Sequence, residues 1–331
     1  MMKNLFFAAA VAALACAGCA AEDEGVTPAS GSFPIDFGTS EITRSQPIDA
    51  FADDAVIGVF GTETIDITDG ASTPTSGWMV NMKLTNNSGS WTPGAVKYFV
   101  TGYKYTFGAY APYMDGVTDL ASVSYTASTT LSEQKDLMYA DFLDSYDFSV
   151  TAPKAETAKV KFTFHHALAQ VKFSAKTAAD YSTYYNVKVT KIQLTGVNTK
   201  ATLNAKTGVW DESSLGTPMP YEQTISSVGG QAIDDKAYTV LPTDDVLMLI
   251  PQDAAACSVV LTVEATSKTD PAVVKKQDIT VDFTGDNVWA KNKIYRYKVS
   301  LSLNAILGFE NATFQTPSVD PWDATEIDKP I

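Results

Sequence analysis

Five side chains near the middle of the sequence are of types that bind metals or move protons. His165 and His166 are adjacent and are the only histidines, and Asp141, Asp144 and Asp147 precede them. Adjacent strand residues point to opposite faces of a sheet, so the two histidines cannot chelate one ion together. The aspartates lack the glycine and the terminal glutamate of an EF-hand loop. We therefore expect structural histidines, solvated aspartates, and no metal or cofactor.

The remaining residues show no arrangement typical of an enzyme. There is no nucleophile placed beside a base, no phosphate-binding loop and no metal-ligand spacing. Paired acids can act in glycosidases, but no pattern places two of them together. Cys257 is the one cysteine in the body of the chain, and a single thiol forms no intramolecular disulfide. We predict a non-enzymatic protein in which Cys257 is a small buried residue.

The N-terminus carries the pattern of an export signal. Lys3 precedes an apolar run over residues 5–15, which is too short for a mature membrane span. The small residues before Cys19 resemble the lipobox of bacterial lipoproteins, in which the cysteine is acylated and becomes the mature N-terminus. Cys16 is a weaker candidate for lipidation, and an ordinary cleaved signal is the alternative. Acyl chains would hold the protein at a membrane, since each buried methylene contributes about 0.8 kcal/mol.

A short alternating segment follows a polar spacer over residues 20–32. Its apolar members are Phe33, Ile35, Phe37 and Ile42. Alternation of apolar and polar residues predicts a strand with one buried face. Pro34 favours an edge strand, because proline has no N–H to donate to a neighbouring strand.

Arg44 and Ser45 end this segment and precede a polar break. Arg44 is the only arginine before Arg296, so it is a candidate cleavage site for a trypsin-like protease. The alternative is an arginine that is simply a solvated surface charge.

Composition favours strands and argues against nucleic acid as a partner. The 331 residues include 15 tyrosines and 16 phenylalanines, and no apolar stripe of helical period follows the N-terminus. We expect an all-β protein with little helix, of a length that allows two domains. The formal net charge of −14 disfavours nucleic acid and anionic lipid surfaces.

The segment over residues 159–173 organises the rest of the chain. Its apolar alternation changes phase at the two histidines, which predicts a bulge or a tight corner there. Residues 151–157 are polar and contain a proline, so we place a domain boundary before this segment and expect it to open a new sheet. The predicted parts are a signal peptide (1–18), a lipidated prosegment (19–44), a first β domain that is a sandwich or a barrel (45–153), a second all-β domain (154–305) and a tail (306–331).

The C-terminal tail is unusually apolar. Its large apolar residues are Ile306, Leu307, Phe309, Phe314, Val319 and Trp322. A tail with this much apolar surface should be covered. It either folds back onto its own domain or adds as a strand to another molecule, and both alternatives stay open.

The order and spacing of these segments resemble the fimbrillin family of Bacteroidales, the subunits of type V pili. The resemblance covers nearly the whole chain, and none of the segments is a catalytic signature. The segments are the lipobox at Cys19, residues 35–37 leading to Arg44, and residues 56–60, 105–112, 164–173, 192–197, 249–252 and 319–322.

The resemblance implies two tandem transthyretin-like β-sandwich domains and export as an outer-membrane lipoprotein. It also implies cleavage after Arg44 by a trypsin-like protease and removal of the strand over residues 33–42. The C-terminal strand of a neighbouring subunit, here about residues 306–322, would fill the resulting groove. The implied partners are other pilus subunits, the maturation protease, the outer membrane through the lipid, and a host or bacterial surface ligand.

Three functions follow from these observations. The first is a structural stalk or accessory subunit of a fimbrium with a role in adhesion. The second is an anchor that keeps its lipid, or a tip adhesin, of the same family. The third is a surface glycan-binding lipoprotein that keeps its lipid and binds saccharide through exposed Trp or Tyr residues. The aromatic strand over residues 103–112 is a candidate platform, but aromatic strand faces belong to the core far more often. Arg44 together with the apolar tail favours the stalk.

Overall fold

The structure is a computed structural model that describes residues 32–42, 51–65, 74–178, 181–224, 230–241, 246–283 and 288–322. Strands dominate these ranges, and the two α-helices, α1 (Tyr181–Tyr184) and α2 (Leu303–Leu307), are short. Within the same ranges, no helix is long and apolar enough to span a bilayer. The prediction of an all-β fold with little helix is confirmed.

The described residues of the first half form eleven strands. They are β1 (Ser32–Pro34), β2 (Asp36–Ile42), β3 (Val56–Ile65), β4 (Pro74–Asn87), β5 (Ser90–Pro93), β6 (Tyr98–Val100), β7 (Tyr103–Ala111), β8 (Val123–Thr126), β9 (Met138–Ala140), β10 (Leu143–Asp147) and β11 (Lys159–His166).

Eight of these strands form one sheet in the order β10-β7-β3-β4-β5-β2-β11-β9. Strand β9 also pairs with β7, so the pairings from β7 through β3, β4, β5, β2, β11 and β9 return to β7 and close a ring. The ring encloses a first core that includes Phe37, Phe99, Phe107, Phe162 and Phe164. Aromatic side chains on alternate strand positions therefore fill the interior of the ring.

In the second half, the ranges given above contain fifteen strands. They are β12 (Ala169–Thr177), β13 (Tyr185–Asn198), β14 (Lys200–Asn204), β15 (Val209–Asp211), β16 (Pro218–Thr224), β17 (Gln231–Ile233), β18 (Thr239–Leu241), β19 (Leu247–Leu249), β20 (Gln252–Asp253), β21 (Ser258–Ser267), β22 (Val274–Asp282), β23 (Val288–Trp289), β24 (Lys293–Leu301), β25 (Ala312–Thr313) and β26 (Ser318–Pro321).

Two sheets of this half pack face to face. One has the order β18-β12-β24-β26, with β12 and β24 parallel, and the other has the order β16-β13-β21-β22-β25. Side chains from both sheets share a second core that includes Phe173, Val189, Leu261, Trp289 and Tyr297. This is the layered arrangement of a β-sandwich.

A third core joins the two halves. It includes Tyr110, Leu168, Leu203, Ile294 and Trp322, and we call it the junction core. Strand β8 of the first half pairs with β14 of the second, so a small sheet also crosses the junction. The halves are therefore held together by apolar packing and by backbone hydrogen bonds.

Strand β11 lies in the first half, which corrects the predicted boundary at 153/154. The break at the two histidines is real, since β11 ends at His166 and β12 begins at Ala169. However, β11 pairs with β2 and β9, and Val160 lies in the first core. The apolar alternation showed that one face of the strand is buried, but it did not show in which sheet. The change from the first sheet to the second occurs at Ala167 and Leu168.

Candidate functional site: the N-terminal strand and the C-terminal tail

The predicted processing residues lie outside the part of the chain that the structure describes. These are Cys19, Arg44 and Ser45. The predicted removable strand is described as β1 and β2, although nothing is described of the Ile42 side chain.

Strand β2 is an internal strand of the ring, which corrects the prediction of an edge strand. It runs parallel to β11 over six paired positions, from Asp36 opposite Lys159 to Ile42 opposite Phe164. On its other side it pairs with β5 at one position. Pro34 lies on the preceding β1, which forms a two-stranded sheet with β6 among the described strands. The proline predicted an edge correctly for β1, but the chain enters the ring two residues later.

The side chains of β2 and the residue before it are part of the first core. Ile35 is 6% exposed and Phe37 is 3% exposed, and Phe33 packs against the same core. The ring of Phe37 contacts that of Phe107 edge-on at 6.1 Å and stacks on that of Phe162 at 6.5 Å. Removing this segment would leave an apolar slot beside the unpaired backbone of β11.

The C-terminal tail folds back onto its own chain in this structure. Helix α2 is capped by Ser302, whose Oγ accepts from the Ala305 N–H at 3.0 Å, and it ends at Gly308 with φ 82°. Strand β26 pairs antiparallel with β24, and Nη1 of Arg296 donates to Oδ2 of Asp320 across them at 2.5 Å. Of the two fates left open by the sequence, the structure shows the folded-back one.

The tail residues do not share one environment. Ile306 is fully buried in the second core, and Phe314 stacks on Phe283 at 5.3 Å. Leu307 is half-buried, whereas Phe309 is 78% exposed and Val319 is 48% exposed. Folding back therefore covers part of the apolar tail and leaves Phe309 and Val319 largely exposed.

The last described tail residue, Trp322, is fully buried against His166. The two rings stack at 4.2 Å with 13° between their planes. The backbone N–H of Trp322 donates to the carbonyl of Asn292 at 3.0 Å, and the N–H of Asn292 donates to Leu168 at 2.9 Å. The end of the tail is thus attached directly to the junction between the two halves.

His166 is held in turn by a buried carboxyl that sequence reasoning missed. Nδ1 of His166 and Oδ2 of Asp136 share a hydrogen bond of 2.5 Å, and neither side chain is appreciably exposed. Burial raises the pKa of the Asp136 carboxyl, and the hydrogen bond with His166 opposes that rise. A single aspartate in a polar stretch of sequence does not indicate that its carboxyl is buried beside a histidine. His165 differs, because it faces outward and contacts Asp141 at 2.8 Å.

The other candidate chemical groups have structural surroundings. Asp147 interacts with Lys104 at 3.5 Å, and hydrogen bonds from Ser149 lower the pKa of its carboxyl. Burial raises the pKa of the Cys257 thiol to about 11, which disfavours the reactive thiolate. No cluster of three or more potential metal ligands occurs among the residues that the structure describes.

The aromatic strand considered as an alternative glycan platform belongs to the interior, in agreement with the core interpretation. Tyr105 and Phe107 of β7 lie in the first core, and Tyr110 lies in the junction core, all with no exposed surface. Fully buried rings cannot stack on a saccharide. Strand β7 thus contributes side chains to both the first core and the junction core.

The protein resembles solved structures along most of its length. A fimbrial protein from Bacteroides vulgatus has a TM-score of 0.65 at 19% identity, with 87% of this chain and 99% of that chain covered. A candidate cell adhesion protein from Bacteroides uniformis has a TM-score of 0.52 at 18% identity, with 89% and 100% covered. At these identities the likeness shows the fold.

A search among curated proteins finds no match. A family model described as fimbrillin-like matches residues 43–322, which is most of the chain. The matched range ends at Trp322 and thus includes the folded tail. The sequence-based assignment is confirmed, and the protein belongs to the fimbrillin-like family.

Proposed function

We propose that the protein is a structural subunit of a cell-surface fimbrium that assembles by strand exchange and contributes to adhesion. In this proposal it is exported as an outer-membrane lipoprotein acylated at Cys19 and is cleaved after Arg44 by a trypsin-like protease. The observation that carries the proposal is the place of β2, which is inserted inside the ring close to the N-terminal side of Arg44.

Cleavage after Arg44 would change how β2 is held. Before the cut, the chain keeps the strand at a high effective concentration beside its slot. After the cut, the segment is a separate peptide that is held by noncovalent contacts, namely the packing of Ile35 and Phe37 and the pairing of β2 with β11 and β5 and of β1 with β6. Its dissociation becomes irreversible once the peptide is diluted. Proteolysis would therefore convert a closed subunit into one with an open slot.

An incoming strand would form the backbone pairing and the apolar contacts that β2 makes before it leaves. The slot offers the unpaired edge of β11 and an apolar floor that includes Phe107 and Phe162. Burial of about 500–1,000 Å² of apolar surface corresponds to roughly 12–25 kcal/mol before the entropic cost of association. An interaction of that size is sufficient for a stable polymer.

The tail is the proposed donor. The four residues of β26 pair with β24, Phe314 adds one bridge to Val299 of the same strand, and the side chains of Phe309 and Val319 are 78% and 48% exposed. A short terminal strand with exposed apolar residues is easier to detach than a central strand. The folded-back tail would then be a resting state that opens when a neighbouring slot becomes available.

Recovery of the protein from the cell surface tests this proposal. We expect a mature chain that begins at Ser45 and carries no lipid, as determined by N-terminal sequencing and intact mass. Arg44→Ala should keep the precursor intact and abolish polymers that resist mild detergent. Thr43→Ala is the matched control, since it changes a neighbour of the cut and keeps the arginine.

A mature chain that begins at acylated Cys19 would contradict polymerisation through this slot. It would favour a pilus anchor that keeps its lipid, and the folded-back tail is the observation that supports this second candidate. The two functions differ in one measurable property, the chemical identity of the first residue.

A further inference from the structure

The contact between His166 and Trp322 connects the proposed donor to the strand that holds the removable segment. His166 is the last residue of β11, and Trp322 is the last described residue of the tail. Neither has any exposed surface. The position of the His166 ring therefore determines whether Trp322 has a partner to stack on.

The same strand holds β2 only two residues earlier. The parallel pairing of β2 with β11 ends where Ile42 lies opposite Phe164. Without β2, the hydrogen-bonded neighbour of β11 is β9, which pairs at three positions that end with Met138 opposite His166. Of the nine residue pairs that β11 makes with β2 and β9, six would be lost, and β11 would become an edge strand.

The Trp322 contact is also costly to maintain. Three polar atoms buried around it have no hydrogen-bond partner among the described residues, namely Oδ1 of Asp136, Nε2 of His166 and Nε1 of Trp322. A buried polar atom without a partner is destabilising relative to the same atom in water. Detachment of the tail would hydrate these atoms, so the attached state depends on accurate packing of the rings.

From these contacts we propose that β2 and the tail are energetically coupled through β11, so that removal of β2 loosens Trp322 and releases the tail. This inference rests on the proposed function for its biological meaning. An uncleaved subunit would then be closed both as an acceptor and as a donor. Cleavage after Arg44 would open the slot and prepare the tail in one step, which would prevent assembly before the subunit is processed.

Such a coupling is reciprocal. Whatever free energy β2 contributes to holding Trp322, Trp322 contributes to holding β2. The proposal is thus testable in the monomer, with no protease and no polymer, by weakening either end and observing the other.

Hydrogen exchange of the full chain provides the test. Phe37→Ala weakens β2, and we expect amide exchange over residues 318–322 to become faster, on the order of tenfold. Phe33→Ala is the matched control, because Phe33 lies on β1, which pairs with β6 instead of β11. It should leave exchange in the tail unchanged. Exchange in β21 (Ser258–Ser267) reports on global unfolding in each variant.

The reverse experiment uses Trp322→Ala, which should accelerate exchange over residues 36–42 by a similar factor. If Phe37→Ala unfolds the protein, as shown by β21, Phe37→Leu keeps the strand folded with a smaller loss of packing. Equal effects of Phe33→Ala and Phe37→Ala on the tail, or no effect of either, would overturn the coupling. Polymer formation is measured separately, so a fimbrium that does not form would remove the proposed function without deciding the coupling.

Discussion

Replacement of Trp322 by alanine should detach the end of the tail from the junction core. The indole is fully buried, stacks on His166 at 4.2 Å and lies in the junction core with Leu168 and Ile294. Alanine would keep the backbone hydrogen bond to Asn292 but would leave a cavity of nearly the whole ring. Deletion of a buried ring removes both transfer free energy and packing contacts.

The expected loss in the free energy of unfolding is about 3–5 kcal/mol if the tail stays in place around the cavity. A smaller loss is expected if the tail detaches, because the cost cannot exceed the free energy of local opening. Detachment would also hydrate Asp136 and His166, which lowers the cost further. Trp322→Phe retains a ring that can stack, so it should lose much less than alanine in either case.

Urea unfolding of the purified monomer measures this effect, and fast hydrogen exchange over residues 318–322 identifies detachment. Phe309→Ala is the control within the same tail, since this ring is 78% exposed and its removal should change stability by no more than about 0.5 kcal/mol. The reasoning is refuted if Trp322→Ala matches Phe309→Ala in both stability and exchange.

Three further outcomes follow from the structure. Val319→Asp should abolish polymers, because the inserted tail would bury a charge. The same substitution should change the stability of the monomer by less than about 1 kcal/mol, because Val319 is 48% exposed. Normal polymers in an assembly assay would show that the inserted segment lies elsewhere. Burial raises the pKa of Tyr105 from 10.0 to about 12, so the neutral Tyr105 contributes fully to stability below pH 10, and this contribution is lost as pH rises towards 12. The urea midpoint should therefore fall less steeply with pH in Tyr105→Phe than in the unchanged protein. Equal dependence of the two midpoints on pH would contradict the shift. Gly196→Ala should destabilise more than Gly77→Ala in thermal melts. Both glycines have φ near 80°, but an added Cβ at Gly196 would lie 2.4 Å from the Ala256 carbonyl oxygen, whereas Gly77 has open space; equal melting temperatures would argue against the close approach.

Local pattern predicted strands well where one face is buried. The alternation over residues 159–173 predicted both β11 and β12 and the break between them, because side-chain period is a local property of the backbone. It could not predict the partners of β11. Pairing with β2 joins residues that are more than a hundred positions apart, and no local signal carries that information.

At the candidate site, too, the sequence predicted which residues are buried but not which residues they contact. Ile35 and Phe37 were predicted to face a core because of their spacing, and both are buried. The sequence did not predict that β2 lies inside the ring, nor that Asp136 and His166 meet beside Trp322. These contacts depend on where the two halves pack, and packing is decided by the shapes of complete sheets.

By itself, then, the sequence determined the strand-rich fold, the family and the apolar character of both termini. These follow from composition, period and the order of short segments, which are properties that each segment carries alone. Only the tertiary structure decided which strand neighbours β2, which alternative the tail adopts and where the first half ends. Those outcomes require the closure of the ring and the formation of the junction core, and both arise from contacts between distant parts of the chain.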